Sequence, residues 1–388
     1  MNVGSLLVST LVLSAFAAFG GCSSSENVPA DNVDAAVTPK LGPNDVSVLY
    51  PLPAAASTPG YLTAKDTGEK GMLLPKATYD EIPLFGVKPA EGLDYARMRV
   101  LAVRFDGCFP GPNGCEAQVR LVMQPVTDKT KSLDSALHLF YRVPDDQLAV
   151  LVSELRKLRE LAPERRDDVL AVHPALLAQG VEGAYGAGLR SLVMRFCGDQ
   201  TFTRMTFFLR APPVFEKWFF GGFDAKDGVL TQLNIVGIGK SNQMVDRVDT
   251  PEGYNYVFTP DPKTPENISP LLVTETAKTA EKSAIDTALT SLARLENPAI
   301  HGPDDLACAG CHVTTVVRSF AEKELGASLS KIPDAYTGSL RGESEAATTR
   351  SSLRAFGYFG AKPMIANRVV HETELVVKDL VSRFPATK

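Results

Sequence analysis

Apolar and polar residues alternate along three stretches, 98–106, 117–126 and 136–143, each bounded by Gly, Pro or Asp. A period of two rich in β-branched side chains predicts half-buried strands. The period then lengthens. Residues 145–162 ("DDQLAVLVSELRKLRELA") repeat their apolar positions every three to four residues, as does the stretch around 173–196, and both predict helices. Strand-like runs return at 201–211 and 229–238. Beyond 269 the helical period dominates. Ser269-Pro270 is a good helix opening, and Ala277, Ala280, Ala284, Ala288, Leu292 and Leu295 form a ladder that Asn297-Pro298 ends. A helix over 315–325 stopped by Gly326 follows, and a final one over 366–384 carries Val369, Val376, Val377, Leu380, Val381 and Phe384 on one stripe.

Two proline-rich stretches divide this pattern. Residues 22–45 are small, polar and proline-broken, and read as a tether. Residues 259–270 hold prolines at 260, 262, 265 and 270, and read as an inter-domain linker. The expected organisation is a signal over 1–21, the tether, an α+β domain over 46–258, the linker, and a helical domain over 271–388. There is no internal repeat.

The signal rests on the apolar run Leu6 to Phe19, too short to span a bilayer comfortably, followed by "FGGCSSS". Cys22 after Gly20-Gly21 resembles a bacterial lipobox, which implies that Cys22 carries a lipid anchor. Ser23 in the following position implies the outer membrane, with the chain facing the periplasm. An ordinary cleaved signal with an incidental cysteine stays open as the alternative.

Composition adds exclusions. The net charge of −5 is mild, with the acidic excess confined to residues 1–269, and argues against nucleic acid as a partner, which would want a basic face. No charged block marks a polybasic membrane patch.

The chemistry is concentrated at 304–315, "DDLACAGCHVTT". Cys308 and Cys311 are spaced one helical turn apart, with His312 directly after. On a helix the two sulfurs share a face and can reach both vinyl groups of one haem while the imidazole meets the iron. Cys-x-x-Cys-His reads as c-type haem attachment. With 6 Cys and 5 His in 388 residues, chance produces this spelling about once in a thousand such chains. Covalent haem is attached outside the bacterial cytoplasm, which agrees with the export signal. Zinc is an alternative, but needs two ligands beyond Cys308 and Cys311, with His301 available as one. A thioredoxin-like dithiol is another, but needs a preceding strand, whereas 301–307 reads as loop.

On these residues, the segment 271–388 resembles a single-haem class I cytochrome c domain. With the α+β N-terminal domain read from periodicity, the expected fold is that domain followed by the mainly α-helical cytochrome c-like domain the resemblance implies, with haem c iron held by His312 and by a methionine presented before the last helix. The matching position is Met364, in "GAKPMIAN". His301 is the competing sixth ligand, since the long loop before Cys308 lets it fold back over the haem. His371 falls on the opposite side of the last helix from its apolar stripe and is expected to face solvent.

Elsewhere, Cys108 and Cys115 bracket a turn between two strands, and in an oxidising envelope are expected to be bonded. Cys197 is then a buried thiol. "NIVGIGKS" lacks the first glycine of a phosphate loop. His138 on its strand and His173 are too few for a separate metal centre. Trp218 with Phe207, Phe208, Phe215, Phe219 and Phe220 reads as core, or else as an apolar groove. The expected function is a membrane-anchored electron carrier rather than an enzyme. It would exchange single electrons with a redox partner protein or a small donor or acceptor. Two alternatives are a non-catalytic envelope lipoprotein whose haem or metal is structural or sensory, and an oxidoreductase with its site in the first domain.

Overall fold

The computed structural model describes residues 40–82, 94–111, 114–162, 166–211, 216–344 and 352–386. The signal, Cys22 and most of the tether lie outside these. Leu41 and Asp45, expected at the end of the tether, are buried, and Asp45 pairs with Arg159.

The chain builds one large antiparallel sheet. Its strands are β1 (Ser47–Leu49), β2 (Met98–Gly111), β3 (Gly114–Pro125), β4 (Ala136–Val143), β5 (Phe202–Ala211), β6 (Glu216–Lys226), β7 (Val229–Gln232), β8 (Asn242–Thr250) and β9 (Gly253–Thr259). They lie in the order β1-β2-β3-β4-β5-β6-β8-β9, with β7 paired to β6. Between β4 and β5 the chain leaves the sheet to form α1 (Asp145–Glu160) and α2 (Ala184–Phe196). The C-terminal part adds α3 (Lys282–Leu295), α4 (Cys308–Glu324), a hairpin of β10 (Phe356–Phe359) and β11 (Lys362–Ile365), and α5 (Asn367–Arg383). Gly326 adopts φ +66° just past α4 and ends that helix where the sequence predicts.

Because side chains alternate across a strand, the sheet has two different faces. Leu137, Leu139, Tyr141, Met205 and Phe207 form one core with Leu148, Leu151 and Leu155 of α1 and Tyr185 and Leu189 of α2. Phe208, Trp218, Phe220 and Val245 form a second with Leu289 and Leu292 of α3 and Val313, Val316, Val317 and Phe320 of α4. Burying a side chain of this size is worth about 1.5–3 kcal/mol, so α3 and α4 are held by the sheet as much as by each other.

This corrects the expected fold class. The protein is largely an antiparallel β-sheet structure, with 34% helix and 31% strand, and not an α+β domain followed by a helical cytochrome-like domain. Periodicity places α5 closely and finds the C-terminal ends of α3 and α4, but α3 begins only at Lys282, after a separate short helix over Thr274–Thr279, and the pattern reports only that each helix has an apolar stripe. The stripes of α3 and α4 meet Trp218, Phe220 and Val245 instead of closing on a helical core. Residues 38–387 form one compact unit, and the 259–270 segment lies within it with Glu266 and Ile268 buried.

Candidate functional site

The sheet face beneath α4 is ordered in rows. Arg104, Arg120, Phe140, Arg204 and Asp224 are successive cross-strand partners, and next to them run Val122, His138, Thr206 and Gly222. A third row holds Ala136, Phe208, Phe220 and Gln243. Over these rows opens a cavity of about 170 Å³, partly open to solvent. Its walls are the first turn of α4, the first turn and a half of α5, and the loop at Pro303–Leu306.

Cys308, Cys311 and His312 all line this cavity. The expected helix begins seven residues earlier than its apolar pattern, so the motif forms the first turn of α4. That turn has no capping side chain of its own. Gln243, fully buried on β8, accepts the Ala309 amide at 2.9 Å and serves as the cap from across the chain. Cys308 and Cys311 are unbonded. Burial pushes the Cys308 thiol up to about 12, with Cys311 adding to the shift, and burial raises Cys311 too. A dithiol nucleophile needs the opposite shift.

His312 is fixed on both sides. Its Nδ1 donates to the Leu353 carbonyl at 2.6 Å, and its ring stacks on Phe208 with centroids 5.3 Å apart and planes 7° apart. Phe220 closes a second side at 4.9 Å. With Nδ1 engaged as donor, Nε2 is the lone-pair nitrogen. Burial lowers the imidazole to about 4, the Leu353 contact partly opposing, so the ring is neutral and ligand-competent at pH 7. Leu353 is positioned by its neighbour Arg354, whose guanidinium covers Phe208 at 4.6 Å and reaches buried Asp134 at 3.2 Å. Asp134 also accepts from Trp218 Nε1 at 2.8 Å.

The rim is charged. Arg120, Arg204, Arg368, Asp304 and Glu372 line the cavity. Glu372 bonds Arg104 at 2.7 Å and Arg368 at 2.8 Å. Burial alone would raise Glu372, but Arg104, Arg368 and Arg120 outweigh it and hold the carboxyl at about 2.

The other predicted residues are elsewhere. Met364 is fully buried in β11, where Ser344 Oγ donates to its sulfur at 3.2 Å, and it does not line the cavity. His301 is held by Glu266 at 2.8 Å, and the same carboxylate takes Arg294 at 2.6 Å. His371 is not turned to solvent: its Nδ1 meets the Glu296 carbonyl at 2.8 Å and its ring stacks on Tyr336. Cys108 and Cys115 are bonded and Cys197 is a buried thiol, both as expected. Phe208 and Phe220 satisfy both readings of the aromatic stretch, being core residues that also line the cavity; Phe207 and Phe219 join the opposite core. Phe215 lies outside the described residues.

Sequence reading misses the charged residues of the cavity wall and gives no role to His138. His138 lines the cavity from β4, between Ala136 and Phe140 on the same face. The available signal was a single histidine at an inward position of an otherwise apolar strand, which by itself says nothing about what lies above it. Among the described residues no three His, Cys, Asp or Glu side chains converge on one point as a bare metal ion would require. No family model, curated protein or solved structure matches the chain.

Proposed function

We propose that the cavity takes one haem, bonded through Cys308 and Cys311 and gripped by His312, and that the protein passes single electrons. The observation that carries this reading is that both thiols and the His312 ring, its Nδ1 already engaged by the Leu353 carbonyl, line one wall of a single cavity. A zinc site is less well supported, because the candidate ligands surround a volume rather than a point. A redox dithiol is less well supported because burial keeps both sulfurs protonated.

The residues suit covalent attachment. Were a haem bound there, each thiol would add across one of its vinyl double bonds, sulfur to one carbon and hydrogen to the other, so that no oxidant would be consumed. The Leu353 carbonyl keeps His312 in the tautomer that offers Nε2. Arg120, Arg204 and Arg368 line the cavity and offer guanidinium groups to an anionic edge of a porphyrin, although Arg204 and Arg368 are already held by carboxylates. Phe140, Phe208 and Phe220 supply apolar contact and exclude water. Bound there, the iron would supply a one-electron step between its ferrous and ferric states. In this reading the chain is exported and lipid-anchored at Cys22, and its partner is a protein or small molecule of the envelope. Among the described residues no helix is long and apolar enough to cross a membrane.

The test is expression of the full chain, signal included, in a host with haem-attachment machinery. Haem staining after denaturing electrophoresis and a pyridine haemochrome spectrum should show one covalent haem per chain. The Cys308→Ala and Cys311→Ala variants should each lose one thioether. Colourless exported protein, with zinc or no metal by elemental analysis, overturns the proposal.

A further inference from the structure

We propose that His138, from the sheet, supplies the second axial nitrogen to the iron, making the site bis-histidine. This rests on the haem reading above and adds what that reading lacks, a sixth ligand.

The chain has 5 histidines. His173 is buried against Tyr185, His301 is held by Glu266, and His371 by the Glu296 carbonyl. His312 and His138 are the two that line the cavity. No methionine lines it, and the Met364 sulfur already accepts from Ser344. Among the described residues no side chain hydrogen-bonds the His138 ring. The His138 ring is half-buried and faces the cavity, where its nitrogens are open to a ligand.

The register sets the spacing. Ala136 is the cross-strand partner of Phe208, the ring on which His312 stacks. His138 stands two residues further along β4 on the same face, about 7 Å from Ala136 at ordinary strand rise. The two imidazoles therefore enter one cavity from different elements, His312 from a helix turn and His138 from the sheet. Phe140 and Thr206 beside His138 are part of the same lining. A strand position flanked on both sides by paired strands gives the ring little freedom, as a precise axial ligand requires.

The consequence is functional. With both axial positions filled by protein, the iron has no open site for oxygen, carbon monoxide or peroxide. Its potential should also sit below that of a histidine–methionine pair. Both favour electron transfer over ligand sensing.

Paramagnetic resonance and absorption of the ferric holoprotein test the assignment. Wild type should be low-spin with the anisotropy of two imidazoles, and should lack the weak near-red band given by methionine sulfur. His138→Ala should lose the low-spin signal, bind carbon monoxide rapidly when reduced, and regain low spin on adding imidazole. His138→Met should raise the potential and introduce the near-red band. Met364→Leu and His301→Ala should match wild type. An unchanged low-spin spectrum in His138→Ala overturns the assignment, as does a near-red band in wild type that Met364→Leu abolishes. Should the His138 variants fail to accumulate, the wild-type spectra alone decide. Absence of covalent haem in wild type is read on the stained gel, and removes the haem reading before this one.

Discussion

The Asp134–Arg354 pair offers a test of the site's support that needs no cofactor. Both side chains are nearly inaccessible, with exposures of 5% and 2%. Burial raises the Asp134 carboxyl and lowers Arg354 to about 10, with each partner only partly restoring the other. Desolvation thus opposes both charges. In such pairs, removing one member is far worse than removing both. Asp134→Ala strands a buried guanidinium and takes the acceptor from Trp218 Nε1, for an expected loss of about 4 kcal/mol. Arg354→Met is milder, at about 2 kcal/mol, because a carboxyl already pushed upward can protonate and still accept from Trp218. Asp134→Ala with Arg354→Met should fall short of the sum of the singles by at least about 1.5 kcal/mol. Urea unfolding measures all four forms, followed by emission of Trp218, the chain's 1 tryptophan, which sits at the pair. Strict additivity, or single variants within about 0.5 kcal/mol of wild type, would refute the argument. Because Arg354 follows the residue whose carbonyl holds His312, the same variants should also broaden the His312 ring resonances.

Two further outcomes follow from groups around the cavity. Gln243→Leu removes the remote cap of α4 and should lower stability by about 1 kcal/mol, with faster amide exchange confined to the first turn of α4. Glu372 has its pKa depressed to about 2 from 4.5, so its stabilisation is complete above pH 4.5 and is lost as pH falls toward 2. Subtracting the unfolding free energy of Glu372→Gln from wild type should give a difference on the order of 3 kcal/mol at pH 7 that shrinks across that window; a flat difference contradicts it.

The elements with one clean period were legible in the sequence: β4, α1 and α5 start and end within a few residues of their apolar patterns, whereas the helix expected from Ser269-Pro270 is a short 3-10 turn over Ser269–Leu271 and a separate helix over Thr274–Thr279, and α3 itself begins only at Lys282. What the pattern could not supply was the surface each stripe meets. Ala288, Leu289 and Leu292 make an amphipathic helix whether the partner is another helix or a sheet. In α3 the partner cluster includes Trp218 and Val245, about 45 to 70 residues upstream in the chain. The strands β6, β8 and β9 were missed for a related reason. Gly221 and Gly222 interrupt β6, and Asp246, Arg247 and Asp249 make β8 too polar to read as a buried strand. Their pairing is set by neighbours on both sides, so context overrides local preference. The prolines at 260, 262, 265 and 270 looked like a boundary because composition reports where regular structure stops. It does not report whether the core continues beyond, and Ile268 joins the same core as the helices that follow.

The candidate site divides along the same line between local and distant information. Cys308, Cys311 and His312 sit within one helical turn, so their geometry follows from spacing, and a reader of the sequence can place both sulfurs on one face. Whatever stands across from them is a matter of sheet register. His138 reaches the cavity because β4 pairs with β5 such that Ala136 meets Phe208; a shift by one residue would turn His138 into the opposite core and bring Leu137 or Leu139 to the site. The register is itself held by that core, since Leu137, Leu139 and Tyr141 must stay buried with Met205 and Phe207. The packing on the far face of the sheet therefore fixes which side chain confronts His312. An analogy that assigned the sixth ligand by its place before the last helix led to Met364, because it assumed that a helical segment completes its own pocket. Here the sheet forms the wall across from the motif, so the ligand proposed above comes from a strand some 170 residues upstream.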